Sequence, residues 1–333
     1  MPNRAVIRRT ATLAAMLLLG GCLGANEGVR PATQRGSVLT GFAPTSDVVV
    51  NGASYMAGAP RRVAVVGFVV AFQTDLSASA SASRLGSAGV ARASVRANLS
   101  GVDEARMQQI TDAAWRDFQE RMRSAGVELV DPPATVAGQP SPARGSGIIA
   151  FAPTGRAVIG TDTGLPGVSG FSGFDTNSAT RVISALPRQD GVTAVAVRYY
   201  VDFANAETSG GMFAGRASAE FSPALSVRAG SGISSIGTPR GVGCVGYCPN
   251  NIGSINLGQA VFSMDRYGES VRDSSAGAVA TSVLGALSGA SIGRYEVRAD
   301  PAEYARIAGG LLGEAQGKVV GALLGAMGAT TGS

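Results

Sequence analysis

The sequence predicts an α/β fold: a mixed sheet holding a βαβ unit, an antiparallel hairpin extension, and glycine-rich helices at the C terminus. Three observations carry that prediction. Within Arg61 to Asp75, the run Val63 to Phe72 is β-branched, aromatic or small and apolar, and no charge interrupts it. A strand apolar on both faces must be covered on both, which places it at the centre of an α/β sheet. Its valines and two phenylalanines favour a strand over a buried helix. Second, Met107, Ile110, Ala114, Phe118 and Met122 recur at spacings of three and four within Ser100 to Ala125, and Trp115 widens the stripe. Third, Val127 to Val130 offers another strand. Strand, helix and strand form a right-handed crossover, so the two strands should be parallel.

Taken in order, the chain divides into four parts: a leader over 1–21, a lipidated flexible tether over 22–60, an α/β domain over 61–270, and a Gly/Ala-rich helical region over 271–333 that packs on it. The leader has a basic start (Arg4, Arg8, Arg9), a short apolar core from Ala11 to Leu19, and the closing Leu19-Gly20-Gly21-Cys22. That is the grammar of a secretory signal, and its core is too short to span a bilayer permanently. The closing tetrapeptide resembles the bacterial lipobox. The resemblance implies cleavage between Gly21 and Cys22, a diacylglyceryl group on the Cys22 thiol, and a further acyl chain such as palmitate on the new amine. Several acyl chains make membrane attachment stable where one is marginal. Arg8-Arg9 lacks the hydrophobic residues usual after a twin-arginine signal. Leu23 is not the aspartate that usually retains lipoproteins at the inner membrane. An outer-membrane anchor facing the periplasm is therefore expected.

The tether is rich in Gly, Pro, Thr, Ser and Asn, with a short strand expected over 47–51. Leu76 to Leu99 contains Ser-Ala alternation from Ser77 to Ser83. Its composition buries little, so a mobile loop is the default and a long hairpin the sharper alternative. The helix after it should be capped by Ser100 or Asp103, with Gly126 as the left-handed residue just past its end. Ile148 to Phe151 is expected as a short strand, Ser178 to Leu186 as a short helix, and Val192 to Phe203 as a strand of the same sheet. Phe221 to Ile236 and Ile252 to Met264 should pair as an antiparallel hairpin whose tip is the loop from Gly241 to Asn251. Arg294 to Val297 is expected as a strand, and Asp300-Pro301 should open a helix to about Met327.

Composition excludes several functions. The chain has no histidine, which removes Ser-His and Cys-His nucleophiles and His-ligated zinc. No tight acid pair stands out, so no catalytic residue, cofactor site or metal site is expected. Removing the leader takes three of the 28 basic residues and none of the 23 acidic ones, which lowers the net charge from +5 to +2. With no polybasic run, nucleic acid is not an expected partner. Gly241 to Gly246 matches GxGxxG, but a turn-rich segment follows it where a helix is required. Gly313 to Lys318 has the wrong spacing for a phosphate loop. Once Cys22 is acylated, Cys244 and Cys248 remain, and the periplasm is oxidising. A disulfide that stiffens the loop is the expected state and free thiols the alternative; two ligands are too few for a metal, and the spacing is not CxxC.

Small residues recur every fourth position at Gly277, Thr281, Gly285, Gly289 and Gly293, and again at Gly309, Gly313, Gly317, Gly321 and Gly325. Such rows let helices approach closely, on the sheet or between subunits, and membrane insertion is the alternative.

The lipobox, the first strand Arg61-Arg-Val-Ala-Val-Val-Gly-Phe68, and the helix ending in Ser124-Ala-Gly-Val-Glu-Leu-Val-Asp131 resemble the curli-secretion-lipoprotein and penicillin-binding-protein-activator group. The likeness covers roughly 61–205 and rests on pattern, with no catalytic motif. It implies a compact fold related to the TolB amino-terminal domain and a non-enzymatic envelope protein. Some members form a ring that makes or lines an export channel, and others are monomeric regulators of wall synthesis. The expected partners are the bilayer, a protein of the envelope and, in one arrangement, further copies of the chain. The alternative is a periplasmic small-ligand binder or carboxylate-based enzyme, whose cleft would gather Asp162, Asp175, Asp202 or Arg198.

Overall fold

A computed structural model describes residues 46–83, 90–132, 140–145, 147–158, 179–209, 217–239, 253–273 and 290–329. All of them belong to one compact unit. Its centre is β2 (Arg62–Gln73), and the expected α/β class holds. On one side β2 pairs in parallel with β8 (Thr193–Ser209). On the other side it pairs in parallel with β5 (Glu128–Val130) near its start and antiparallel with β7 (Ile148–Phe151) near its end. The parallel β2–β5 pair is the crossover that the sequence predicts.

The pairing of β2 with β8 slips by one residue between Val65 and Gly67. The extra residue resets the alternation of side chains. Val63, Val65, Phe68, Val70 and Phe72 therefore all face the main core. Ala64 and Val66 pack with Ile183 and Leu186 of α3 (Ala179–Asp190). Val69 and Ala71 join Ile148, Ala150 and Tyr200 in a small cluster. Both faces of β2 are covered, as its uninterrupted apolar run requires.

The main core lies under α2 (Glu104–Ser124) and α4 (Pro301–Gly328). All five residues of the predicted stripe in α2 are buried. Phe68 sits among Trp115, Phe118 and Tyr199, with ring centroids 5.1, 5.6 and 6.1 Å away. Asp103 caps α2, its carboxylate accepting from the Arg106 N–H at 2.8 Å. Gly126 follows the helix at φ +76°, a conformation that favours glycine. Asp300 caps α4, accepting from the N–H groups of Ala302 and Glu303 at 2.9 Å each.

Several boundaries differ from expectation. Within the expected tether, β1 (Val48–Asn51) pairs with β11 (Gly253–Leu257), and α1 (Ala53–Met56) brings Met56 to full burial. The Gly58 N–H then donates to the Met327 carbonyl at the end of α4, so 46–60 are part of the folded unit. The hairpin expected from 221–264 forms in two pieces. β10 (Gly232–Gly237) pairs with β11, and β9 (Ser218–Val227) pairs with β12 (Val261–Ser263), because β9 and β10 divide the outer edge of β8 between them. β6 (Ala143–Gly145) completes the ten-stranded sheet beside β7.

The largest difference lies at 76–99. The default expectation was a loop, yet β3 (Asp75–Ser83) and β4 (Val90–Ser100) form the hairpin that was the alternative. Composition misleads here because alanine is small enough to be buried without costing much side-chain entropy. Ala82, Ala93, Val95 and Ala97 are all buried, whereas Ser77, Ser79 and Ser81 are exposed. β14 (Ala290–Ala299) runs parallel to β4, and β13 (Gly268–Arg272) pairs antiparallel with β14, giving a second, four-stranded sheet. Residues 290–293, expected in a glycine-rich helix, are therefore strand. The rest of that run, with Gly277, Thr281, Gly285 and Gly289, lies outside the described residues. Among the described residues no helix is long and apolar enough to cross a membrane.

Candidate functional site

Gly21, Cys22, Cys244, Cys248, Asp162 and Asp175 all lie outside the described residues. Of the expected cleft residues, Arg198 and Asp202 can be placed, on the same face of β8. Asp202 is committed to Arg228: Nε donates to Oδ2 at 2.8 Å and Nη2 to Oδ1 at 2.5 Å. A two-pronged pair of this kind fixes geometry as well as charge. The Arg198 and Arg228 guanidinium groups each lie 5.1 Å from the Tyr200 ring centroid, so the ring carries two cations.

Burial pushes the Tyr200 hydroxyl up from its ordinary pKa, against the pull of Arg198 and Arg228. Burial also lowers the Arg198 pKa. At Arg228 burial acts the same way, but the hydrogen bonds and charge of Asp202 outweigh it and the pKa rises. The Ser231 hydroxyl accepts from the Tyr200 N–H at 3.0 Å, and the Arg228 N–H donates to the Tyr200 carbonyl at 3.0 Å. These contacts anchor the turn between β9 and β10 to β8. Asp202 has its lone pairs turned to Arg228, so the cluster braces the fold and is poorly placed for acid–base chemistry.

A second candidate is a cleft of about 560 Å³ on the four-stranded sheet. Its polar lining is Asp75, Ser77, Arg96, Asn98, Asp273 and Arg294. Strand register explains the grouping: Asp75 opposes Asn98, Ser77 opposes Arg96, and Arg96 neighbours Arg294 on β14. Two arginines side by side repel, and Asp75 and Asp273 in the same lining offset them. Arg294 Nε is buried with no hydrogen-bond partner among the described residues. The sequence reading missed this cleft. The signal was the two-residue period shared by 75–81, 92–100 and 294–298, which becomes legible only when 76–99 is read as a hairpin.

The glycine row of α4 has two environments. A Cβ on Gly317 would meet Arg121 Nη1 at 3.2 Å, and one on Gly313 would meet Arg121 and Asp117 at 3.7–3.8 Å. The Asp117–Arg121 pair of α2, bridged at 2.7 Å, thus lies across these two glycines. Gln316 Nε2 tightens the seam by donating to the Ala114 carbonyl at 2.9 Å. Gly309, Gly321 and Gly325 face open space. Lys318 bridges Glu314 at 3.2 Å and also Asp47 at 3.3 Å, tying the helix to the residue before β1.

Among the described residues no group of three or more His, Cys, Asp or Glu side chains is placed to hold a metal ion. Comparison with known proteins finds no matching family model, no matching curated protein and no matching solved structure.

Proposed function

We propose that this chain is an outer-membrane lipoprotein facing the periplasm, acting as a non-enzymatic scaffold for assembly or secretion in the envelope. The observation that carries the reading is Leu19-Gly20-Gly21-Cys22 closing a basic and then apolar leader. Acylated Cys22 holds the chain on the bilayer. The partner is a protein of the envelope, and further copies of the chain are one arrangement. The lack of histidine and the commitment of Asp202 to Arg228 favour a scaffold over an enzyme. The α/β class agrees with the fold that the curli-secretion-lipoprotein likeness implies. The test is the intact mass of the mature N terminus from cells grown with and without a lipoprotein signal-peptidase inhibitor. A triacylated chain beginning at Cys22, lost on inhibition, supports the reading; a free Cys22 thiol ends it.

The cleft on the four-stranded sheet favours a second reading, a binder of small anions, through the unmatched Nε–H of Arg294 beside Arg96. A saturable rise in melting temperature with a small carboxylic acid, abolished by Arg294→Gln, would support it. No such rise leaves the scaffold reading alone.

A further inference from the structure

The two sides of the four-stranded sheet end differently. β13 is five residues long, and Glu269 and Arg272 are charged and exposed. Short, charged edges resist the addition of another strand. β3 is nine residues long and reads Asp-Leu-Ser-Ala-Ser-Ala-Ser-Ala-Ser. After Asp75 it has no charge, no proline and no bulge in its register with β4.

The direction of its main-chain groups follows from one bond. The Leu99 N–H donates to the Thr74 carbonyl at 2.8 Å, so even-numbered residues of this stretch address β4. Odd-numbered residues address the outer edge. At the start of the strand the Gly147 carbonyl occupies the outer side, accepting from the Thr74 and Asp75 N–H groups at 2.8 and 3.2 Å. Beyond it, no strand among the described residues pairs with the outward N–H and C=O groups of Ser77, Ser79 and Ser81.

The segment is also a palindrome. Laid antiparallel against a second copy about a two-fold axis at Ala80, it places Ser79 opposite Ser81 and Ala78 opposite Ala82. Opposed residues share a face of the sheet, so serine meets serine on the exposed face and alanine meets alanine on the inward, partly buried one. The outward-directed serines fall at the hydrogen-bonded positions, and Ala80 meets its own copy at a non-hydrogen-bonded position. An axis at Ser79 also keeps serine against serine, with the hydrogen-bonded pair at the axis. Within Ser77–Ser81 no opposed pair is large or charged in either case.

We propose that β3 is a self-association edge: two copies of this chain pair antiparallel through Ser77–Ser81 and join their four-stranded sheets into one of eight strands. The proposal deepens the scaffold reading by naming a second copy as a partner, yet it does not depend on lipidation. An unmodified Cys22 would end the lipoprotein reading and leave this pairing standing.

The test uses the full-length chain in mild detergent, with its mass measured by light scattering after gel filtration. The parent protein is expected at twice the chain mass at tens of micromolar. Ser79→Pro removes an outward N–H while leaving the β3–β4 bonds in place, because proline is tolerated on the solvent side of an edge strand. It is expected at one chain mass with the parent's circular dichroism. Should it fold poorly, Ser79→Lys with Ser81→Lys sets like charges opposite each other and is expected to give the same monomer. Ala80→Cys is expected to form a reducible dimer beyond the level of the parent with its native cysteines. A parent at one chain mass, or a dimer that survives both edge variants, would overturn the proposal.

Discussion

The two sheets of this protein solve the same problem with opposite sequences. β2 spends its ten inner residues on valine, phenylalanine, alanine and glycine and is buried from Val63 to Phe72. Serine points outward and alanine inward from Ser77 to Ala82 of β3, arginine, serine or asparagine alternates with alanine, valine or leucine from Arg92 to Leu99 of β4, and only one face is covered. A strand apolar on both faces must lie at the centre of the sheet with a layer on each side, because any edge or one-sided position would expose apolar surface. A half-covered strand of small residues is specified mainly by its partners. The lesson is that β2 organises the fold, whereas the four-stranded sheet depends on the fold and offers the surface.

The contrast can be broken most directly at Phe68, where three aromatic neighbours converge. Phe68→Ala should cost about 3–5 kcal/mol, read as a drop in the denaturant midpoint of the full chain. Ser77→Ala, at an exposed position of β3, should stay within about 0.5 kcal/mol by the same measurement. A comparable loss at both sites would dissolve the distinction.

Alkaline titration probes the same core without mutation. Burial drives the hydroxyls of Tyr199, Tyr267 and Tyr304 well above the ordinary phenol range. The unfolded chain therefore loses these protons first as pH rises. The contribution is whole below about pH 10 and falls above it by about 1.4 kcal/mol per pH unit for each tyrosine, until the folded state ionises too. Chemical denaturation followed from pH 8 to 11.5 should show this loss, and a flat stability across that window would contradict the burial of all three.

Smaller effects sharpen the picture at the margins. Arg228→Ala leaves Asp202, which is 15% exposed, without its partner, and should cost about 1.5–3 kcal/mol in thermal or chemical unfolding. On α4, Gly321→Ala points into open space and should stabilise by about 0.5–1 kcal/mol. Gly317→Ala should gain less, because Arg121 must move from its Cβ. Equal gains would mean that the α2–α4 seam is looser than the Asp117–Arg121 bridge implies.

Legibility followed burial. α2 was readable because Met107, Ile110, Ala114, Phe118 and Met122 form one stripe and Asp103 and Gly126 mark its ends. The parallel β2–β5 pair followed from chain order. β3 was obscured because serine and alanine carry weak strand preference, and their alternation gains meaning only once β4 and β14 are in place beside it. β1 was assigned to the tether because its pairing with β11 joins segments some two hundred residues apart in sequence, which no local pattern reports. The cleft at Arg96 and Arg294 failed for the same reason. Cys22, Cys244 and Cys248 rest on sequence alone, outside the described residues.

Amide hydrogen exchange on the full-length chain tests the central claim that β2 organises the fold. The amides of β2 and of the part of β8 paired to it should exchange slowest, by global unfolding alone. The outward amides of Ser77, Ser79 and Ser81 should exchange far faster at low protein concentration and gain protection as concentration rises. Exchange in β2 as fast as at those serines would show that β2 does not organise the fold.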